Sequence, residues 1–299
     1  MTTTIPAAAP PLAIIAGGGV LPAEVASEVV ASGRRVVLIG IHGEAEPAAL
    51  EPLGRIADSV RLEWLEWGQI GRLLALLAHE GAREVVLAGS ISRRPDFRAI
   101  VGDFGTLKRL PRIIAAMVGG DDSVLTRVIG LFEREGVTIV GLGDVAPRLL
   151  MGEGPQGRCR PDSSAQEAIG AAAAVVTALG TLDVGQAAVA LGRRVVAIEG
   201  AEGTDAMLER VAALRAIGRI GRGDYTGVLV KGIKSGQDLR VDLPTIGPQT
   251  VIRAHEAGLA GIAAETGRVV VVQRAATLAE ADRRGLFLSG FARAAGARA

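Results

Sequence analysis

Short β-type runs alternating with helical periodicity constrain this chain more than any other feature. LAIIA (12–16), RVVLIGI (35–41), EVVLAGS (84–90) and VTIVG (137–141) read as buried strands. Helices are expected over 21–32, 68–79 and 105–117, and Gly119-Gly120-Asp121-Asp122 opens another that ends near Gly136. That alternation predicts a parallel sheet with crossover helices, a Rossmann-like α/β domain in the first half.

After residue 150 the pattern changes. Residues 142–163 hold several prolines and glycines with little periodicity, and read as a linker. SSAQEAIGAAAAVVTAL (163–179) is a helix; QAAVAL and RVVAIE (186–191, 194–199) flank Gly192-Arg193 as a β-hairpin. A helix over 205–216, the strand GVLVK (227–231), a second hairpin over 262–273, a helix near 276–284 and the strand LFLSGF complete the reading. The expected organisation is a tail (1–11), a Rossmann-like domain (12–149) and a mixed α/β catalytic domain with hairpins (150–299).

Composition narrows the function classes. The balance of 33 basic and 32 acidic residues gives no basic face for nucleic acid. A single cysteine, Cys159, excludes a disulfide framework, and three dispersed histidines disfavour a zinc site. Any metal would be held by carboxylates, which suit Mg²⁺ or Mn²⁺. The uncharged start, MTTTIPAAAPP, has no apolar core of a signal peptide, and no apolar stretch reaches membrane-spanning length. A cytoplasmic chain is the expectation.

Four places can carry chemistry. Gly17, Gly18 and Gly19 lie between a strand and a helix, where the backbone can approach a phosphate; a structural tight turn is the other reading. A dinucleotide fingerprint fails at its third glycine, since Pro22 stands there, and no ribose-binding acid follows the second strand. That disfavours a nucleotide-sugar oxidoreductase using NAD(P). GSISRRPDF (89–97) places Ser90, Arg93 and Arg94 beyond a strand end, as a phosphate clamp or as a solvated loop. Asp122, with Asp121, is first of all a helix cap, and a metal or sugar contact second.

The fourth place is the acidic set of the second half. Glu202 and Asp205 sit at a strand-to-helix junction. In DLRVDL (238–243), strand spacing puts Asp238, Arg240 and Asp242 on one face and Leu239, Val241 and Leu243 on the other. Lys231 and Lys234 add point charges for phosphoryl oxygens. A metal-assisted catalytic face and an ordinary solvated strand face both fit that pattern.

The blocks AGGGVLP (16–22), GSISRRPDF, GDDSVLTRV (120–128), DVGQAAVA (183–190), EGTDAMLERV (202–211), GVLVKGIKSGQDLRVDLPTIGP (227–248) and AGLAGIAAETGR (257–268) follow in one order. Together they resemble the UDP-2,3-diacylglucosamine pyrophosphatases of the LpxI type. The resemblance implies a substrate held between two domains, and Mg²⁺-dependent hydrolysis, with Mn²⁺ as a substitute, to UMP and 2,3-diacylglucosamine 1-phosphate (lipid X). It points to Asp242 as the critical carboxylate, with Glu202, Asp205 and Asp238 as supporting acids. Thr204, Lys231, Lys234 and Gln237 join the glycine loop, Ser90, Arg93, Arg94 and Asp122 as substrate contacts. Peripheral contact with the cytoplasmic membrane follows from an acylated substrate, and a homodimer is left open. A non-catalytic sugar-nucleotide or lipid-binding protein is the rival from another class. Two departures stand out: the arginine before Pro-Asp-Phe is doubled, and the family's K-x-P-K-P-x-Q has Ile233 and Ser235 in place of its prolines.

Overall fold

The computed structural model describes residues 9–55, 59–91, 106, 121–221, 226–234 and 236–293. Its contacts divide the chain into two units, Met1–Ala146 with Asp238–Val241, and Pro147–Gln237 with Asp242–Ala299.

In the first unit five strands form one parallel sheet: β1 (Leu12–Ala16), β2 (Val36–Ile41), β3 (Val60–Leu65), β4 (Glu84–Ala88) and β5 (Thr138–Ile139), in the order β3-β2-β1-β4-β5. β1 and β2 are apolar on both faces because both faces are covered, with Leu12, Ile14, Leu38 and Ile39 fully buried. The helices Leu21–Ala31, Ile70–Glu80 and Asp121–Arg134 lie where helical spacing placed them, while the helix expected over 105–117 falls outside the described residues apart from residue 106. Sequence reasoning missed β3. It is an edge strand pairing only with β2, and its Arg61 and Glu63 bond to each other, so it lacks the continuous apolar run of a central strand.

The second unit is built on a six-stranded sheet of β6 (Gly154–Pro155), β7 (Ala187–Leu191), β8 (Arg194–Ile198), β9 (Val228–Lys231), β11 (Gly261–Glu265) and β13 (Phe287–Phe291), ordered β6-β13-β11-β9-β7-β8. β9, β11 and β13 are parallel; β6, β7 and β8 join antiparallel. β10 (Thr245–Ile246) and β12 (Val270–Val271) form a separate parallel pair. The β7–β8 hairpin turns at Gly192-Arg193 as expected, but the second hairpin does not exist. β11 and β12 belong to different sheets, because β11 finds two parallel partners in β9 and β13. The stretch expected as linker holds a helical turn (Leu142–Val145), a 3₁₀ turn (Pro147–Leu149) and β6.

Alternation along β9 sets up the site. Val228 and Val230 face the alanine-rich helix Ser163–Gly180, capped by Asp162, and pack on Ala168, Ala172 and Val176. Leu229 faces the other way, into a core with Met207, Leu208 and Val211 of the helix Gly203–Ala216. With period two, Lys231 follows Leu229 onto the face of that second helix. Because Leu229 is fully buried, Leu229→Ala should cost roughly 2–5 kcal/mol in urea unfolding. Leu182→Ala, at a side chain 71% exposed, should stay within about 0.5 kcal/mol. Equal costs would contradict this assignment of faces.

Candidate active site

The first unit offers a switch point. β1 has β2 on one side and β4 on the other, the arrangement at which open α/β sheets bind ligands beyond the strands' carboxyl ends. The glycine loop is fitted to that crossing. Gly18 N–H donates to Ser90 O at 2.7 Å, Ser90 N–H donates back at 3.0 Å, and Gly17 N–H donates to Ala88 O at 2.8 Å. A Cβ on Gly17 would stand 2.4 Å from Ser90 O. The glycines therefore meet a steric demand of the fold itself, whatever they bind. Gly19, at φ +83°, faces open space ahead of the helix Leu21–Ala31. Arg93, Arg94 and the side chain of Asp122 lie outside the described residues.

The second unit concentrates its polar side chains at the carboxyl end of β9. Lys231 Nζ donates to Thr204 Oγ1 at 2.9 Å and to the carbonyl of Thr245 at 3.1 Å. Thr204, at the start of its helix, donates onward to Glu199 Oε1 at 2.5 Å. Glu199 closes β8 and is buried, its other oxygen taking the N–H of Gln186 at 2.8 Å. Burial pushes the Lys231 ammonium below its usual range, and the charges of Glu199 and Asp205 partly oppose that shift. An ammonium has three donors, and two are taken here. Thr245 also lines a cleft of about 420 Å³ formed with Gly247, Pro248, Gln249, Thr250 and Gln273.

The segment after Lys231 carries the other expected residues. Lys234 N–H donates to Gln237 Oε1 at 3.0 Å, and Gln237 Nε2 donates to Asp242 Oδ2. Lys234 Nζ pairs with Asp183 at 2.5 Å. Glu199, Asp183 and Thr245 were not singled out from sequence. The one available signal was a carboxylate closing an apolar strand five residues ahead of Thr204.

One sequence expectation is overturned. DLRVDL is not a strand; 239–241 form a turn, with Val241 N–H donating to Asp238 O at 3.1 Å. Asp238 favours the turn because its carboxylate accepts from Arg240 N–H at 3.0 Å and from the Arg240 guanidinium at 2.7 Å, bonds a ladder would exclude. Val241 packs into the first unit's core. Two of the four acids expected to support a metal have arginine partners. Glu202 is bonded to Arg210 at 2.7 Å and Asp238 to Arg240, and among the described residues no three metal-ligating side chains are grouped. Asp242 Oδ2 accepts from the side-chain amide of Gln237. One such carboxylate completed by phosphate oxygens is a normal Mg²⁺ arrangement.

With this geometry in place, the comparisons are specific. The LpxI N-terminal domain profile matches residues 11–149 and the LpxI C-terminal domain profile matches 152–289. The UDP-2,3-diacylglucosamine pyrophosphatase LpxI of Caulobacter vibrioides is 43% identical over 280 residues, covering 93% of this chain and 96% of the relative. The chain is thus an enzyme of the pyrophosphatase class, a hydrolase of a phosphoric anhydride. It belongs to the LpxI family of lipid A biosynthesis.

Asp238 supplies a check on the turn. Hydrogen bonds from Arg240 hold its carboxyl below the usual range, so their stabilisation is present above the unfolded value and lost as pH falls through the folded one. Asp238→Asn should cost up to about 1 kcal/mol at neutral pH. In urea unfolding the difference should shrink below about pH 3.9. A cost that persists unchanged in acid would contradict the ion-paired turn.

Proposed function

We propose that this enzyme hydrolyses the pyrophosphate bond of UDP-2,3-diacylglucosamine to UMP and 2,3-diacylglucosamine 1-phosphate, with Mg²⁺, or Mn²⁺ in its place. The observation that carries the reading is Lys231, an ammonium drawn into the protein at a sheet's carboxyl edge and bonded at 3.1 Å to the carbonyl of Thr245, which lines a cleft of about 420 Å³. The Caulobacter relative's name supplies the substrate.

Two adjacent phosphates repel any nucleophile, so the site's first task is electrostatic. Lys231, fixed by Thr204 and Thr245, points its remaining donor at a phosphate oxygen, and charge placed there without reorganisation is effective in a partly dry site. Lys234 meets a second oxygen by exchanging Asp183 for the ligand. Asp242, aligned by Gln237, takes the proton of the attacking water or holds the cation. A bound divalent cation supplies further charge neutralisation on the anhydride. The glycine loop and Ser90 meet nucleotide or phosphate at the carboxyl ends of β1 and β4; the N–H groups of Gly17, Gly18 and Ser90 are already bonded within the chain, so Gly19, facing open space ahead of the helix Leu21–Ala31, offers the backbone approach.

An acylated substrate resides in a bilayer, and among the described residues no helix is long and apolar enough to cross one. The contact we propose is peripheral, at the cytoplasmic face. Leu182 and Val184, 71% and 38% exposed, flank Asp183, the partner of Lys234, and supply apolar contact next to a phosphate-binding lysine. Leu182→Asp with Val184→Asp should lower co-sedimentation with anionic phospholipid vesicles several-fold. Unchanged sedimentation, or release of the wild type only by detergent, would contradict peripheral contact at this loop.

Asp242→Ala tests the chemistry. In an assay of UMP release from UDP-2,3-diacylglucosamine, kcat should fall at least ~10²-fold while substrate still binds. EDTA should abolish wild-type turnover and Mg²⁺ restore it. Wild-type kcat in Asp242→Ala, or full activity after metal removal, would overturn the assignment.

A further inference from the structure

The loop joining the two phosphate-binding lysines has no secondary structure, yet its main chain is held at nearly every polar group. Gly232 N–H donates to Gln186 O at 3.0 Å. Ile233 is gripped on both sides. Its N–H donates to Glu265 Oε2 at 3.1 Å, and its carbonyl accepts from Arg293 Nη2 at 2.8 Å. The same Arg293 Nη2 donates to Glu265 Oε2 at 2.7 Å, which closes a ring of three hydrogen bonds around one residue.

The ring is built into the sheet. Glu265 ends β11 and is only 6% exposed, and Arg293 follows directly on β13, whose Phe291 is the register partner of Glu265. Gly232 is part of the fit, since a Cβ there would stand 2.8 Å from Glu265 Oε2. Residue 233 can take part because it is not a proline and so has an N–H to give. A buried carboxylate paired with a half-buried guanidinium carries a desolvation cost that well-packed apolar side chains would avoid, so as a stability device the pair is a poor choice. Arg293 Nε is also buried without an acceptor among the described residues.

We infer that Glu265 and Arg293 are positioning residues, which hold the 232–234 main chain so that Lys231 and Lys234 meet adjacent phosphates of the substrate in one fixed geometry. This rests on the reading of those two lysines as phosphate ligands. Neither Glu265 nor Arg293 touches substrate; they act through Ile233. The loop is thereby tied to the carboxyl ends of β11 and β13 while Lys231 continues β9, so three parallel strands fix one pair of cations.

The test compares charge removal with loop release. Glu265→Leu alone strands a half-buried guanidinium and should unfold readily, so the informative protein is Glu265→Leu/Arg293→Met, which removes both charges and keeps apolar volume. It should melt within a few degrees of wild type, with KM for UDP-2,3-diacylglucosamine raised about ten- to a hundredfold and kcat lowered by less, since both lysines keep their charge but lose their fixed geometry. Glu265→Gln, which keeps an acceptor for Ile233 N–H, should lie in between. Wild-type KM in a folded double variant, or activity loss that only follows the folded fraction, overturns the inference. Lys231→Met and Lys234→Met separate the two levels. If they raise KM and the double variant does not, the lysine reading stands and the clamp fails. If they too keep wild-type KM, the lysine reading fails and the clamp with it.

Discussion

A lysine ammonium taken out of water must be given acceptors, and much of the second unit is arranged to give them to Lys231. The hydroxyl of Thr204, the carbonyl of Thr245 and, one bond further, the carboxylate of Glu199 come from a helix start, a short strand and the end of β8. Alternation along β9 sends Val228 and Val230 to one layer and Leu229 with Lys231 to the other, so the packing that buries Leu229 also delivers the ammonium to Thr204. Hydrogen bonds to charged groups contribute about 1.5–3 kcal/mol each, enough to keep a charge in place against burial. The outcome is an ammonium held in one place by fixed acceptors.

The same edge collects the rest of the machinery. Parallel strands β9, β11 and β13 end together, and open sheets of this kind bind ligands at their carboxyl ends. Lys231 comes from the first, Glu265 from the second, and Arg293 from the residues after the third. Asp242 arrives from the turn at 239–241 and is aligned by Gln237, which also receives Lys234 N–H. Cation and carboxylate thus depend on short main-chain segments, 232–234 held by Glu265 and Arg293 and 237–242 by Gln237 and Asp238.

Much of this was legible in the sequence, and the omissions have physical causes. The buried strands β1, β2, β4 and β9 announce themselves as aliphatic runs, and Gly192-Arg193 marks a true hairpin. β3 hides because an edge strand may keep charged residues such as Arg61 and Glu63 on its exposed face. AGIAAETGR reads as half a hairpin because Glu265-Thr266-Gly267 is good turn chemistry; only long-range pairing of β11 with β9 and β13 shows otherwise. DLRVDL has clean period-two spacing, yet Asp238 captures the Arg240 main chain and side chain and makes a turn. Glu199 was visible as a residue but not as a partner, since its role depends on a lysine 32 positions later reaching Thr204. Local pattern marked the polar blocks; which carboxylates pair with an arginine is decided by tertiary contacts.

The central claim is that the carboxyl edge of the second sheet grips the substrate. Hydrogen exchange read by mass spectrometry tests it most directly, using Asp242→Ala protein with and without UDP-2,3-diacylglucosamine in mild detergent. The account predicts slowed exchange in peptides covering 199–204, 231–237 and 245–250. Substrate binding that leaves all three segments unprotected would contradict it.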